Sequence, residues 1–116
     1  MNFESVVKAT VVVLGLVAVA GFGAQQAAAD SSGLDAIHAK IRVGGRTCFD
    51  GHSHSGSGAG PTRRAAEEAA IRSWADFTIT EYGTDWGHYG KTINKSMRCS
   101  QSAAGWSCDL EATPCR

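Results

Sequence analysis

Cys48, Cys99, Cys108 and Cys115 are the four cysteines of this chain, and an even set of that size constrains its fold more than any other feature. Oxidising surroundings turn such a set into bridges, whereas reducing ones leave thiols free to hold metal. The opening stretch, MNFESVVKATVVVLGLVAVAGFGAQQAAAD, decides between them. Lys8 precedes an uncharged run from Ala9 to about Ala24, which leads through two glutamines to Ala27-Ala28-Ala29. Small residues at Ala27 and Ala29 are what signal peptidase accepts. The expectation is a signal peptide over residues 1–29, cleavage after Ala29, and a mature protein that is periplasmic or secreted. The apolar run is short for a membrane span of roughly 20 residues, and Gly15, Gly21 and Gly23 dilute it. Membrane contact is therefore expected only through the signal segment before cleavage.

Residues 30–116 suffice for a single small domain, and a core of that size is marginal without covalent help. Lys and Arg together number 11, as do Asp and Glu, so the formal net charge is zero. A neutral chain has no electrostatic attraction to a phosphate backbone, which argues against nucleic acid as a partner.

The cysteines suggest their own pairing. Ile93, Lys95, Met97 and Cys99 occupy alternate positions, as do Trp106, Cys108, Leu110 and Ala112, with a turn-like SQSAAG between the two sets. A hairpin folded there sets Cys99 opposite Cys108, Met97 opposite Leu110 and Lys95 opposite Ala112, with the apolar members sharing one face. Opposed residues in an antiparallel pair lie close enough to bridge. Cys48 is then left for Cys115, closing a long loop across the domain.

The segment GPTRRAAEEAAIRSWADFTITEYGTDWG signals a helix over residues 63–82. Thr62 is the candidate N-cap and Gly83 the terminator. At 100° per residue Ala66, Ala70, Ile71, Trp74 and Phe77 form the core-facing stripe. Arg64, Glu68, Arg72 and Asp76 form a solvent face of alternating charge. Upstream, Ile37, Ala39, Ile41 and Val43 alternate with His38, Lys40 and Arg42 as in a half-buried strand. Gly44-Gly45 is the expected turn, and Arg46 to His54 the expected returning strand, where Cys48 and Phe49 both face the core only across a bulge. Glycine and serine then predict a loose chain up to Gly60. The fold class is α+β: one amphipathic helix packed on a small antiparallel sheet, ββαββ in order and disulfide-stabilised. Residues 30–60 are expected to be partly loose and 61–116 best defined.

Chemistry is thinly signalled. On an extended chain Cys48, Asp50, His52 and His54 in CFDGHSHSGSGAG share a side, and such side chains suit zinc or copper. A bridged Cys48 is no thiolate, which leaves Asp50, His52 and His54 as the candidate metal ligands, with His38 or His88 as further candidates from elsewhere in the chain. The competing reading is a solvated Gly/Ser-rich loop, and short motifs of this kind favour it. Ser53, Ser55 and Ser57 alternate with the histidines and so point away from them, which argues against a catalytic triad. GSG at Gly56 to Gly58 follows no core strand as a nucleophile elbow would, and GSGAGPT lacks a P-loop lysine. Neither an enzymatic activity nor a further cofactor is expected. Tyr82, Trp86 and Tyr89 lie among Gly83, Gly87 and Gly90, and are read as a lid on a small core ahead of an exposed contact surface.

The stretch from AIRSWADFTITEYGTDWG to GWSCDLEATPCR resembles a family of small exported cysteine-containing proteins of Gram-negative bacteria. The pattern is carried by Trp74, Tyr82-Gly83, Trp86, Cys99, Trp106-Ser107-Cys108 and Ala112-Thr113-Pro114-Cys115-Arg116, with Thr113 standing where arginine is expected. The resemblance spans the second half of the chain. It implies export and one disulfide-bearing domain, and it transfers no catalytic residues. Together these readings describe an exported, stapled binding or envelope-associated protein, its partner a protein or cell-envelope component. The alternative is a periplasmic transition-metal-binding protein using His52 and His54.

Overall fold

The computed structural model describes residues 33–116; the signal segment and its cleavage position lie outside the described residues. Strands β1 (Lys40–Val43) and β2 (Arg46–Phe49) form one antiparallel hairpin. Strand β3 (His54–Gly60), helix α1 (Arg63–Tyr82) and strands β4 (Ile93–Ser102) and β5 (Gly105–Thr113) follow. The latter three strands make an antiparallel sheet in the order β3-β5-β4, with α1 packed across it. The class is α+β, as expected, with one strand more before the helix. Among the described residues no helix is long and apolar enough to cross a membrane.

Both bridges form as the register argument requires: Cys99–Cys108, opposed across β4 and β5, and Cys48–Cys115. Such cross-links belong to a protein of an oxidising compartment. Met97 stands opposite Leu110, but Lys95 does not stand opposite Ala112, because the ladder shifts between Ile93 and Ser96. Asn94 there has φ 54°, a left-handed conformation that asparagine tolerates better than most residues and that suits a bulge. Lys95 instead places its ammonium 4.9 Å from the centre of the Tyr89 ring.

Thr62 caps α1, its side chain accepting the Ala65 N–H at 3.1 Å. Ala66, Ala70 and Trp74 are buried as expected, and with Cys108, Leu110 and Ala112 they make the main core. The indole of Trp74 donates to the Ala112 carbonyl at 3.2 Å. Phe77 is a correction: it is 53% exposed, and Thr78 and Tyr82, one position further round the helix, are buried in its place. The core stripe thus runs at i, i+4, i+8 from Ala66 through Ala70, Trp74 and Thr78 to Tyr82. On the outer face Arg64 pairs with Glu68 at 3.1 Å, and Arg63 pairs with Glu67 at 3.0 Å.

The glycine-rich stretch before the helix is not loose. It is β3, bonded to β5 along its whole length. Its glycines alternate on the face turned to α1: a Cβ on Gly56 would lie 2.6 Å from the Trp74 nitrogen, and one on Gly58 would lie 2.5 Å from the Ala69 Cβ. Helix and strand backbones meet because both carry minimal side chains at the crossing.

The upstream hairpin departs from its expected burial. Ile37, 77% exposed, ends a 3-10 turn (Leu34–Ile37), and Ile41 is also exposed. The return strand ends at Phe49 rather than His54. Cys48 and Phe49 are both fully buried without a bulge, the β1–β2 register being continuous. Residues 114–116 explain this, since they run along the free edge of β2: Thr47 exchanges hydrogen bonds with Arg116, and the Phe49 N–H donates to the Pro114 carbonyl at 3.1 Å. Cys48 therefore meets Cys115, while Phe49 stacks on Trp86 with centroids 4.2 Å apart and planes 13° apart. Phe49, Tyr82 and Trp86 form a second buried cluster, so the aromatic run after α1 does close over a core.

Candidate functional site

Beside that second cluster the chain brings together three of its four histidines. His38 follows the 3-10 turn before β1, His52 lies between β2 and β3, and His54 opens β3. All three converge on the hydroxyl of Tyr82, at the last turn of α1. Tyr82 Oη lies 2.8 Å from His52 Nε2, 3.2 Å from His54 Nε2 and 3.4 Å from His38 Nε2. The Nε2 atoms of His52 and His54 are themselves 3.1 Å apart. Glu81 adds a carboxylate oxygen 3.3 Å from His54 Nε2.

The far side of two rings fixes where their protons sit. His38 Nδ1 is 3.0 Å from the Leu34 carbonyl, which only accepts, so Nδ1 carries the proton. Thr78 donates its hydroxyl to the Trp74 carbonyl at 2.7 Å and so accepts from His54 Nδ1–H at 3.0 Å. In their neutral forms both rings therefore turn an Nε2 lone pair towards Tyr82. Facing these two lone pairs are the Tyr82 hydroxyl and the His52 ring.

Its electrostatics follow from burial. His54 is 3% exposed, and desolvation pushes its pKa below the ordinary 6.5; Glu81 opposes this, while His52 and His38 add to it. Tyr82 is fully buried, and desolvation, then the charge of Glu81 and a hydrogen bond to it, raise its pKa to about 12. His38 and His52 are half-buried and open the cluster towards solvent. Phe77 packs against His54, their ring centroids 4.7 Å apart.

Of the expected metal ligands, His52 and His54 meet and Asp50 does not join them. Asp50 is exposed at the turn after β2, its N–H donating to the Ala39 carbonyl. The Asp50–His52–His54 set is thus not assembled. Among the described residues no group of three or more His, Cys, Asp or Glu side chains is set to hold a metal ion. The third member that does meet the two histidines is a tyrosine. Tyr82 and Glu81 were not legible as site residues, because only the crossing of α1 over β3 brings the helix end to the histidines. His88 lies apart from the cluster, in the loop after α1. Ser53 bonds the Thr113 hydroxyl at 3.1 Å and no histidine.

Elsewhere, on the sheet, a hollow of about 280 Å³ is lined by Ser55, Ser57, Ser96, Arg98, Asp109 and Glu111. Arg98 stands opposite Asp109 in the ladder, and serines and charges of both signs make it a solvated polar surface. No family model, no curated protein and no solved structure matches the chain.

Proposed function

We propose that this protein is an exported, disulfide-stapled binding module that works in the periplasm or the medium, and that its binding site is the His38, His52, His54 and Tyr82 cluster. One observation carries the reading: three imidazole Nε2 atoms converge on the Tyr82 hydroxyl at 2.8, 3.2 and 3.4 Å, those of His38 and His54 as inward lone pairs. Lone pairs gathered on one point attract a ligand that supplies positive charge or a donor. The half-buried rings of His38 and His52 supply the way in. The module is not an enzyme on this reading: desolvation and Glu81 raise the Tyr82 pKa to about 12, which makes its hydroxyl a poor nucleophile near neutral pH.

The test uses the oxidised mature chain with nitrogen-15 in its histidines. Addition of envelope extract is expected to move the ring resonances of His38, His52 and His54 and to leave those of His88 in place. Unmoved cluster signals, or movement at His88 alone, would overturn the proposal.

A further inference from the structure

We infer that the ligand of this cluster is a divalent transition-metal ion of the zinc or copper class, held by His52 Nε2, His54 Nε2 and Tyr82 Oη. The inference rests on the binding reading above and gives its ligand a chemical class. The three atoms form a triangle with edges of 3.1, 3.2 and 2.8 Å. Donors on a tetrahedral zinc, with bonds of about 2.0–2.1 Å, stand roughly 3.3 Å apart. An opening of a few tenths of an ångström therefore turns the triangle into three corners of a tetrahedron. His38 Nε2, 3.4 Å from Tyr82 Oη, and Glu81 Oε2, 3.3 Å from His54 Nε2, border the triangle, and water takes the fourth corner.

The surroundings are those a metal-binding imidazole needs. A ligating histidine hands its other N–H to a carbonyl, carboxylate or hydroxyl, which fixes the ring and its tautomer. His54 does so through Thr78, itself anchored on the Trp74 carbonyl. His54 starts a strand bonded into the sheet, and Tyr82 sits on a 20-residue helix, so both are held by regular structure. His52 rides on the connection after β2, which gives it freedom to close on an ion. Two nitrogens and one oxygen suit zinc and copper(II) in preference to calcium or magnesium, which take oxygen donors.

Proton balance is simple. As the metal–oxygen bond forms, the Tyr82 O–H bond breaks and its proton leaves to solvent, one for each ion bound. The carboxylate that holds the proton on Tyr82 in the free protein is outweighed by a dication at bonding distance.

The experiment is a titration of the oxidised mature protein, stripped with chelator and dialysed, with Zn²⁺ alone and Cu²⁺ alone. One ion is expected per chain, and with Cu²⁺ a phenolate-to-copper absorption band that Tyr82→Phe abolishes. His52→Ala and His54→Gln are each expected to weaken binding by at least about 100-fold, while Asp50→Ala and His88→Ala leave it unchanged. His54 is buried, so His54→Gln is paired with the half-exposed His52→Ala, whose fold near-ultraviolet circular dichroism verifies. Binding undiminished in His52→Ala, or equally weakened in His88→Ala, would overturn the assignment, as would a copper band that survives Tyr82→Phe. Absence of binding to either ion also overturns it. If the cluster resonances still respond to envelope extract, the binding function survives with another ligand; if they do not, both readings fall.

Discussion

Gly56 of β3 and Trp74 of α1 touch through their backbones: a methyl group on Gly56 would come 2.6 Å from the Trp74 nitrogen and 2.7 Å from its Cβ. Neither partner can retreat, since Gly56 is bonded to β5 opposite Leu110 and Trp74 lies in mid-helix with its indole on Ala112. Gly56→Ala or Gly58→Ala is therefore expected to destabilise the domain by about 3 kcal/mol or more, the upper range for overpacking. Gly90→Ala, at a site with open space around it, is expected to change stability by less than about 0.5 kcal/mol. Urea unfolding of the three variants checks this, and equal costs would contradict the close approach.

The two bridges close loops of very different length, with sequence separations of 67 and 9. The chain-entropy account gives roughly 4 kcal/mol for the longer and roughly 2.5 kcal/mol for the shorter. The Cys48→Ser/Cys115→Ser double variant is thus expected to melt below Cys99→Ser/Cys108→Ser. Scanning calorimetry of both decides the order.

The sequence places Trp74 and Phe77 on one core-facing stripe, and the structure separates them. Trp74→Ala is expected to cost about 3–5 kcal/mol, the range for a buried aromatic. Phe77→Ala, at a position half open to solvent, is expected to cost less than about 1 kcal/mol. Denaturation midpoints of the pair measure the difference.

In the metal-free protein His54 should also give a pH signature. Its folded pKa is lowered, so below pH 6.5 the unfolded chain takes up the proton before the folded one does. Its contribution to stability is complete above pH 6.5 and declines as pH falls towards the lowered value. Glu81, His52 and His38 face the same ring and modulate the effect. Unfolding free energies at pH 7.5, 6.5 and 5.5 in chelator (round values spanning the ordinary His pKa) should fall more steeply for the native sequence than for His54→Gln. Parallel slopes would rule the effect out.

Much of this architecture was legible before any coordinates. Helix α1 was readable at both ends because local chemistry marks them: the Thr62 hydroxyl satisfies an orphan N–H and Gly83 stops the run. The β4–β5 register was legible because two cysteines and two apolar residues demand one face. What misled was composition read without period. Gly56, Gly58 and Gly60 alternate with Ser55, Ser57 and Ala59, which is strand periodicity with hydrogen as the side chain on one face, yet glycine and serine together resemble a loop. Ala66 and Ala70 are small enough to let a neighbour come close, and those glycines are the other half of that contact. The helix stripe erred by one position because Thr78, polar by type, is buried through its bond to the Trp74 carbonyl. The histidine cluster was half visible: His52 and His54 are adjacent by spacing, whereas His38, Glu81 and Tyr82 arrive through tertiary folding that no local pattern encodes.

The Cys48–Cys115 link has a consequence for the cluster. His38 and His52 flank the small hairpin, while His54 and Tyr82 belong to the sheet and its helix. That single sulfur–sulfur bond, beside the short run of hydrogen bonds from Thr47 and Phe49, fastens one pair of rings to the other. Cleaving it would leave those hydrogen bonds and the Phe49–Tyr82–Trp86 packing alone to hold the hairpin, and with it His38, against the sheet.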